Sequence, residues 1–176
     1  YKINNLDETE GIIEKQRMIK DSEEINLIKK ACEITDECFN YLKSYIKIGL
    51  TEKQIAKEIE SFFLEHGADR LSFDTIVASG TNSSSPHAIP TDKKIEAGDA
   101  ITIDMGCVYK NYCSDMTRTI FAGYIPEEAK TVYELVLKNQ KQALNEMHEG
   151  TNLKVISKNV ENDFKLNGYD LIHALG

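Results

Sequence analysis

Nothing in the sequence spells a membrane span, a zinc knuckle or a face for nucleic acid. The apolar runs stay far short of the roughly 20 residues a helix needs to cross a bilayer, and no signal peptide is visible. The four cysteines, Cys32, Cys38, Cys107 and Cys113, form no C-x2-C pair, which argues against a structural zinc site. Basic charge is in deficit: 21 Lys and Arg stand against 29 Asp and Glu, for a net charge of −8. Phosphate recognition needs a basic face, so nucleic acid is not an expected partner. The acidic balance is mainly a solubility statement. There is no internal repeat and no low-complexity tract. Cys32 and Cys38 lie six residues apart on one predicted helix and point in different directions, so no bridge is expected between them. Cys107 and Cys113 flank a predicted hairpin turn and could come close. Reduced thiols are nevertheless expected, and with them a cytoplasmic location.

What is present is enough for one domain with a real core, since 41% of the 176 residues are apolar. The chain begins at Tyr1 rather than Met and stops at Gly176 with no natural stop signal, so both ends read as cuts. Residues 1–20 show no clean period and read as a connecting segment ending in a short strand or turn. Asp21 with Glu24 predicts a capping box. After it Ile25, Ile28, Cys32, Thr35, Phe39, Leu42 and Ile46 recur at helical spacing, with Gly49 as the stop. A second box, Thr51 with Gln54, opens a helix carrying Ile55, Ile59, Phe62 and Phe63, ended by Gly67.

From Leu71 to Gly123 the period changes. Phe73–Ser79 is predicted as strand and Gly80–Pro90 as loop. Ala100–Tyr109 alternates, with Ile101, Ile103, Met105 and Cys107 on one face and Thr102, Asp104 and Gly106 on the other. Cys113–Ala122 is its partner strand, and Lys110-Asn111 is the tight turn between them. A helix follows Pro126, with Ala129, Val132, Tyr133, Val136, Ala143, Leu144 and Met147 as its buried side. A fourth runs from about Leu153 to Asn167. A last strand starts at Tyr169.

The chemistry concentrates on Asp104 and Asp115, eleven residues apart on the two strands of the hairpin. The turn sets them opposite each other to within a residue or two, and paired strand positions sharing a face lie about 5 Å apart. Two carboxylates so placed repel unless a cation lies between them, and hard divalent cations take carboxylate oxygens. Two solvated aspartates on a polar sheet face satisfy the same spacing. His87 sits in Pro86-His87-Ala88-Ile89-Pro90, a stiffened loop that could present a ring to a cleft, or equally be plain surface. His66 and His148 lie near helix C-termini and read as structural. His173 alternates with apolar residues in the last strand. Arg118 falls on the face opposite Asp115 and is expected to pair with an acid elsewhere, within these residues or in the part of the chain expected to be missing.

Four stretches occur in order: Ser85-Pro86-His87-Ala88, Glu96-Ala97-Gly98-Asp99, Ile103-Asp104-Met105-Gly106, and Tyr112-Cys113-Ser114-Asp115-Met116-Thr117-Arg118-Thr119. Together they resemble the Xaa-Pro dipeptidase and Xaa-Pro aminopeptidase family, within the creatinase/aminopeptidase superfamily of pita-bread metallopeptidases. The segment from Glu14 to Lys20 and the helix start at Glu23-Glu24-Ile25 are similar to the entry of that domain. The resemblance implies an α+β pita-bread fold, present as its first half plus part of the second, with an antiparallel sheet covered by helices on one side. Residues 1–15 would be the exit segment of a missing N-terminal domain, and 16–176 an incomplete catalytic domain. Asn111 stands where the family often has glycine.

The resemblance also implies a two-metal site. Asp104 would bind one or both ions and Asp115 would bridge them, with manganese first and cobalt, zinc or iron as alternatives. One histidine and two glutamates complete the family's ligand set. Ala174-Leu175-Gly176 is similar to the lead-in of the histidine motif, so three of five ligands are expected beyond the chain. His87 would steady the developing oxyanion or touch the substrate carbonyl. The implied reaction is hydrolysis of the bond before proline in short peptides with proline second, by a homodimer. The 176-residue chain itself is expected to be inactive, with open sheet edge and apolar surface favouring self-association. No substrate-binding residue is assigned. A non-catalytic binding module and a creatinase-like amidinohydrolase are the alternatives.

Overall fold

The computed structural model describes residues 10–171. They fall into two compact units. One comprises the described residues up to Ile46 with Gln54–Ile76 and Ile103–Arg118. The other comprises Lys47–Lys53, Val77–Thr102 and the described residues from Thr119 onward.

In the first unit a short helix α1, Ile12–Met18, occupies a segment expected to be irregular. It buries none of its residues, and Ile12 and Ile13 are exposed. Periodicity detects a buried stripe, so a helix without one escapes it. Helix α2, Ser22–Tyr45, begins at the predicted box: Asp21 accepts from the Glu23 and Glu24 amides at 2.9 Å, and Glu24 Oε2 accepts from the Asp21 amide at 2.8 Å. Its buried face is Ala31, Ile34, Thr35, Cys38 and Leu42; of the predicted stripe Thr35 and Leu42 are buried, while Ile25 and Cys32 are exposed. The reason is the partner. This face packs on strands β4, Cys107–Tyr109, and β5, Tyr112–Cys113, where Ala31, Thr35 and Cys38 let the backbones approach. A polar seam crosses that contact: Thr35 and Ser114 share a hydroxyl hydrogen bond of 2.6 Å, and the Cys107 amide donates to Ser114 Oγ at 3.0 Å. Helix α3, Glu52–Glu65, buries Ile55, Ile59 and Phe63 completely, as the sequence pattern requires.

Strand β1, Arg70–Leu71, pairs antiparallel with β4, and β4 with β5. The β4–β5 register, Val108↔Cys113 and Tyr109↔Tyr112, is that of a two-residue hairpin. Lys110 and Asn111 both take positive φ, 47° and 71°, as such a turn demands. Cys113 stands opposite Val108, exposed, while Cys107 is buried. All four cysteines are free.

A second sheet has the order β2-β3-β6: Ile76–Ser79, Ala100–Met105 and Met116–Phe121. Three strand predictions therefore change. The segment before Ile76 is irregular, and the predicted strand Ala100–Tyr109 breaks at Gly106. Its partner breaks at Ser114 and Asp115, so one long hairpin becomes parts of two sheets. Gly106 explains the break. A Cβ there would collide with the Ser114 carbonyl oxygen and with Ser72 Oγ, and Ser72 bonds both strands, taking the Gly106 carbonyl at 3.0 Å and donating to that of Ser114 at 2.9 Å.

In the second unit Gly49, Leu50 and Glu52 bond through the backbone to Lys93 and Ile95. Helix α4, Glu127–Glu146, starts after Pro126, and α5, Leu153–Leu166, is capped by Asn152. They share a core of Leu135, Val160 and Phe164. Asp163 ties them, accepting from Asn139 at 2.8 Å and Lys138 at 2.9 Å. The broad buried side predicted for α4 is not found: only Leu135 and Asn139 are buried, while Val136, Leu144 and Met147 are exposed. One neighbouring helix covers only a narrow stripe. Residues 169–171 carry no strand; the rest of the predicted last strand, with His173 and Ala174-Leu175-Gly176, lies outside the described residues.

Candidate metal centre

The hairpin turn fixes one register, and side chains beyond it keep that register. The Ser114 amide donates to the Cys107 carbonyl at 2.9 Å. Further along, Thr117 Oγ1 donates to Asp104 Oδ1 at 2.7 Å. Asp104 thus meets Thr117 across the strands, and Asp115 lies two residues before Thr117, in the break between β5 and β6. Burial alternates along β3: Ile103 and Met105 are fully buried and Asp104 only half-buried. Asp104 therefore points away from the apolar layer, as expected from the sequence.

The electrostatics agree. The Asp115 carboxyl lies above the usual aspartate range, first through partial desolvation and then through the negative charge of Asp104. A group shifted this way is relieved by a proton or by a cation. Two hard oxygen donors, one oriented by a threonine hydroxyl, fit a divalent ion chemically. Among the described residues no three or more His, Cys, Asp or Glu side chains converge to hold a metal. Arg118 Nη1 donates to the Thr117 carbonyl at 2.8 Å; it pairs with no acid among the described residues, and the part of the expectation that places its partner elsewhere lies outside them.

His87 belongs to the second unit, exposed on the loop that follows the 3-10 turn Gly80–Ser84. His66 stacks on Phe62 with ring centroids 3.7 Å apart, and its Nδ1 lies 2.7 Å from the Phe62 carbonyl. It is structural, as read.

Sequence reasoning missed Thr117 and Glu52. Thr117 was readable in principle, by counting the register outward from the turn. Glu52 gave no such signal. It looks like any acid in a helix's first turn, yet it is fully buried. Burial pushes its carboxyl up, but donors from Thr91 and Ser79 outweigh that and hold it below the ordinary glutamate range.

The profile of metallopeptidase family M24 matches residues 26–176. An Xaa-Pro dipeptidase of Pyrococcus furiosus is 38% identical over 176 residues, which cover 99% of this chain and 51% of that protein. A solved Xaa-Pro dipeptidase from Bacillus anthracis superposes with a TM-score of 0.90 at 38% identity, covering 94% of this chain and 47% of the other. An X-Pro aminopeptidase from Thermotoga maritima superposes at 0.86 with 39% identity, covering 89% and 45%. The α+β architecture is thus the pita-bread fold expected from the sequence motifs, of which the chain covers about half. It spans about half the length of curated relatives that match it end to end.

Proposed function

Because the chain belongs to metallopeptidase family M24, we propose that the whole protein hydrolyses the peptide bond between an N-terminal residue and proline. The observation that carries this reading is the Asp104–Asp115 pair, two carboxylates on one hairpin register whose charges already interact. Asp104 would hold one or both of two divalent ions, and Asp115 would bridge them. Bound metal supplies an acidified water and polarises the scissile carbonyl. Manganese is the first choice, with cobalt, zinc and iron tolerated by such oxygen-rich sites. Thr117 fixes the rotation of the Asp104 carboxylate. His87 is assigned to the oxyanion that develops on the carbonyl oxygen, where a preorganised donor acts most strongly. The bond before proline offers no N–H to grip, so specificity falls to the amino end and the ring.

The setting proposed with it is a cytoplasmic homodimer acting on short peptides with proline second. Free thiols suit a reducing compartment, and no helix among the described residues is long and apolar enough to cross a membrane. The 176-residue chain by itself is proposed to be inactive, since two carboxylates make an incomplete donor set. An assay of Xaa-Pro and Xaa-Pro-Xaa peptides with added manganese tests both statements. The whole protein should turn over at least one of them, and replacement of Asp115 by Asn should remove turnover by more than a hundredfold. Absence of turnover in the whole protein, or full activity in the Asn variant, would end the proposal.

A further inference from the structure

Glu52 stands at the first position of α3, fully buried, and no step above uses it. Its Oε1 accepts from the Ser79 amide and hydroxyl, each at 2.7 Å. Its Oε2 accepts from the Thr91 amide at 2.9 Å and the Thr91 hydroxyl at 2.7 Å. Asn82 Nδ2 spans both oxygens at 3.1 and 3.2 Å. Ser79 is the residue just before the eleven-residue loop Gly80–Pro90, and Thr91 the residue just after it. One carboxylate therefore ties both ends of the loop and a point inside it.

A buried carboxylate is tolerated only when its oxygens are satisfied, and the Ser79 amide and hydroxyl, buried with it, would lose their acceptor without it. The surroundings reinforce the tie. The Glu52 amide donates to the Lys93 carbonyl and the Lys53 amide to that of Thr91, both at 3.1 Å. The 3-10 turn is closed by Ser83 and Ser84 hydroxyls on the Gly80 and Thr81 carbonyls. Asp99, paired with Lys93 at 2.6 Å, backs directly on Gly80, where a Cβ would stand 2.6 Å from Asp99 Oδ1. The loop is thus anchored at its base and carries His87 on its exposed outer part.

We propose that Glu52 is a positioning residue for His87, setting where the imidazole stands by holding both ends of the loop. Its consequence for catalysis rests on the role given to His87 above; the structural part does not. Glu52→Gln keeps the size but turns an NH2 toward amide and hydroxyl donors.

The test has two arms. In the 176-residue chain, amide exchange across residues 80–91 should quicken at least tenfold in E52Q and the His87 imidazole resonances should move, with protection of α2 unchanged. Unaltered exchange and resonances would overturn the proposal. If E52Q does not fold, N82A and T91V each remove part of the same tie and should show the same changes to a lesser degree; no change in either also overturns it. In the whole protein, E52Q should lower kcat for an Xaa-Pro dipeptide at least tenfold with KM within threefold. In an H87A background it should change kcat less than twofold. Equal losses in both backgrounds would overturn the link to His87. Lack of turnover in the unsubstituted protein would defeat the peptidase reading alone, and the exchange arm would still decide the role of Glu52.

Discussion

The Thr117 hydroxyl restrains one of the two oxygens of Asp104, and outer partners of this kind matter to metal affinity out of proportion to their own energy. Thr117→Val is expected to weaken manganese binding by the whole protein by about tenfold or more, measured by calorimetric titration. Asp115 carries a different signature. Its raised pKa means that, between the ordinary aspartate value and the raised folded one, the folded chain holds more protons than the unfolded chain. Stability therefore falls as pH rises through that window, and above it the charge remains a burden. Asp115→Asn should raise the melting temperature of the metal-free chain at pH 7 by about a degree, since exposed charge pairs are worth under ~1 kcal/mol. The gain should vanish at pH values below the ordinary aspartate range. Asp104 was legible in the sequence because β3 alternates cleanly. The partnership of Asp104 with Thr117 needed the register, which the Lys110-Asn111 turn fixes.

Elements break where the sequence shows only continuity. Alternation runs through Gly106 without interruption, yet the strand splits there because Ser72 and the Ser114 carbonyl crowd the space a side chain would need. Gly106→Ala should cost about 1–3 kcal/mol in urea unfolding, as an overpacked buried position does. The α2 stripe was right at Thr35 and Leu42 and wrong at Ile25 and Cys32, because the strands against this helix also admit the small residues Ala31 and Cys38. On α4 the apolar residues are real and their burial is largely not: α5 covers one stripe, Phe121 meets Tyr133 edge to face, and Val136, Leu144 and Met147 stay exposed. The α3 start illustrates the electrostatic side. Glu52 has a lowered folded pKa, so its contribution is present above the ordinary glutamate pKa and is lost as pH falls through the folded value. Glu52→Gln should cost about 1–3 kcal/mol at pH 7 and leave the acid limb of the stability profile flatter.

Over the whole molecule, the fold was recoverable because four motifs lie in fixed order along nearly the full chain, and the superposed enzymes bear that out. The candidate site was legible only in part. Asp104 and Asp115 come from one local hairpin, so local sequence suffices to propose them; Glu52 reaches residues 27 and 39 positions away, and no local pattern carries such a tie. The central claim is that Asp104 and Asp115 converge on a common divalent cation. Manganese titration of the 176-residue chain, followed by paramagnetic broadening of its NMR signals, tests this without requiring turnover. Broadening should appear first at Asp104, Asp115 and Thr117 and disappear when both aspartates are replaced by asparagine. Broadening centred on another acidic patch, or unchanged by that double replacement, would contradict the account.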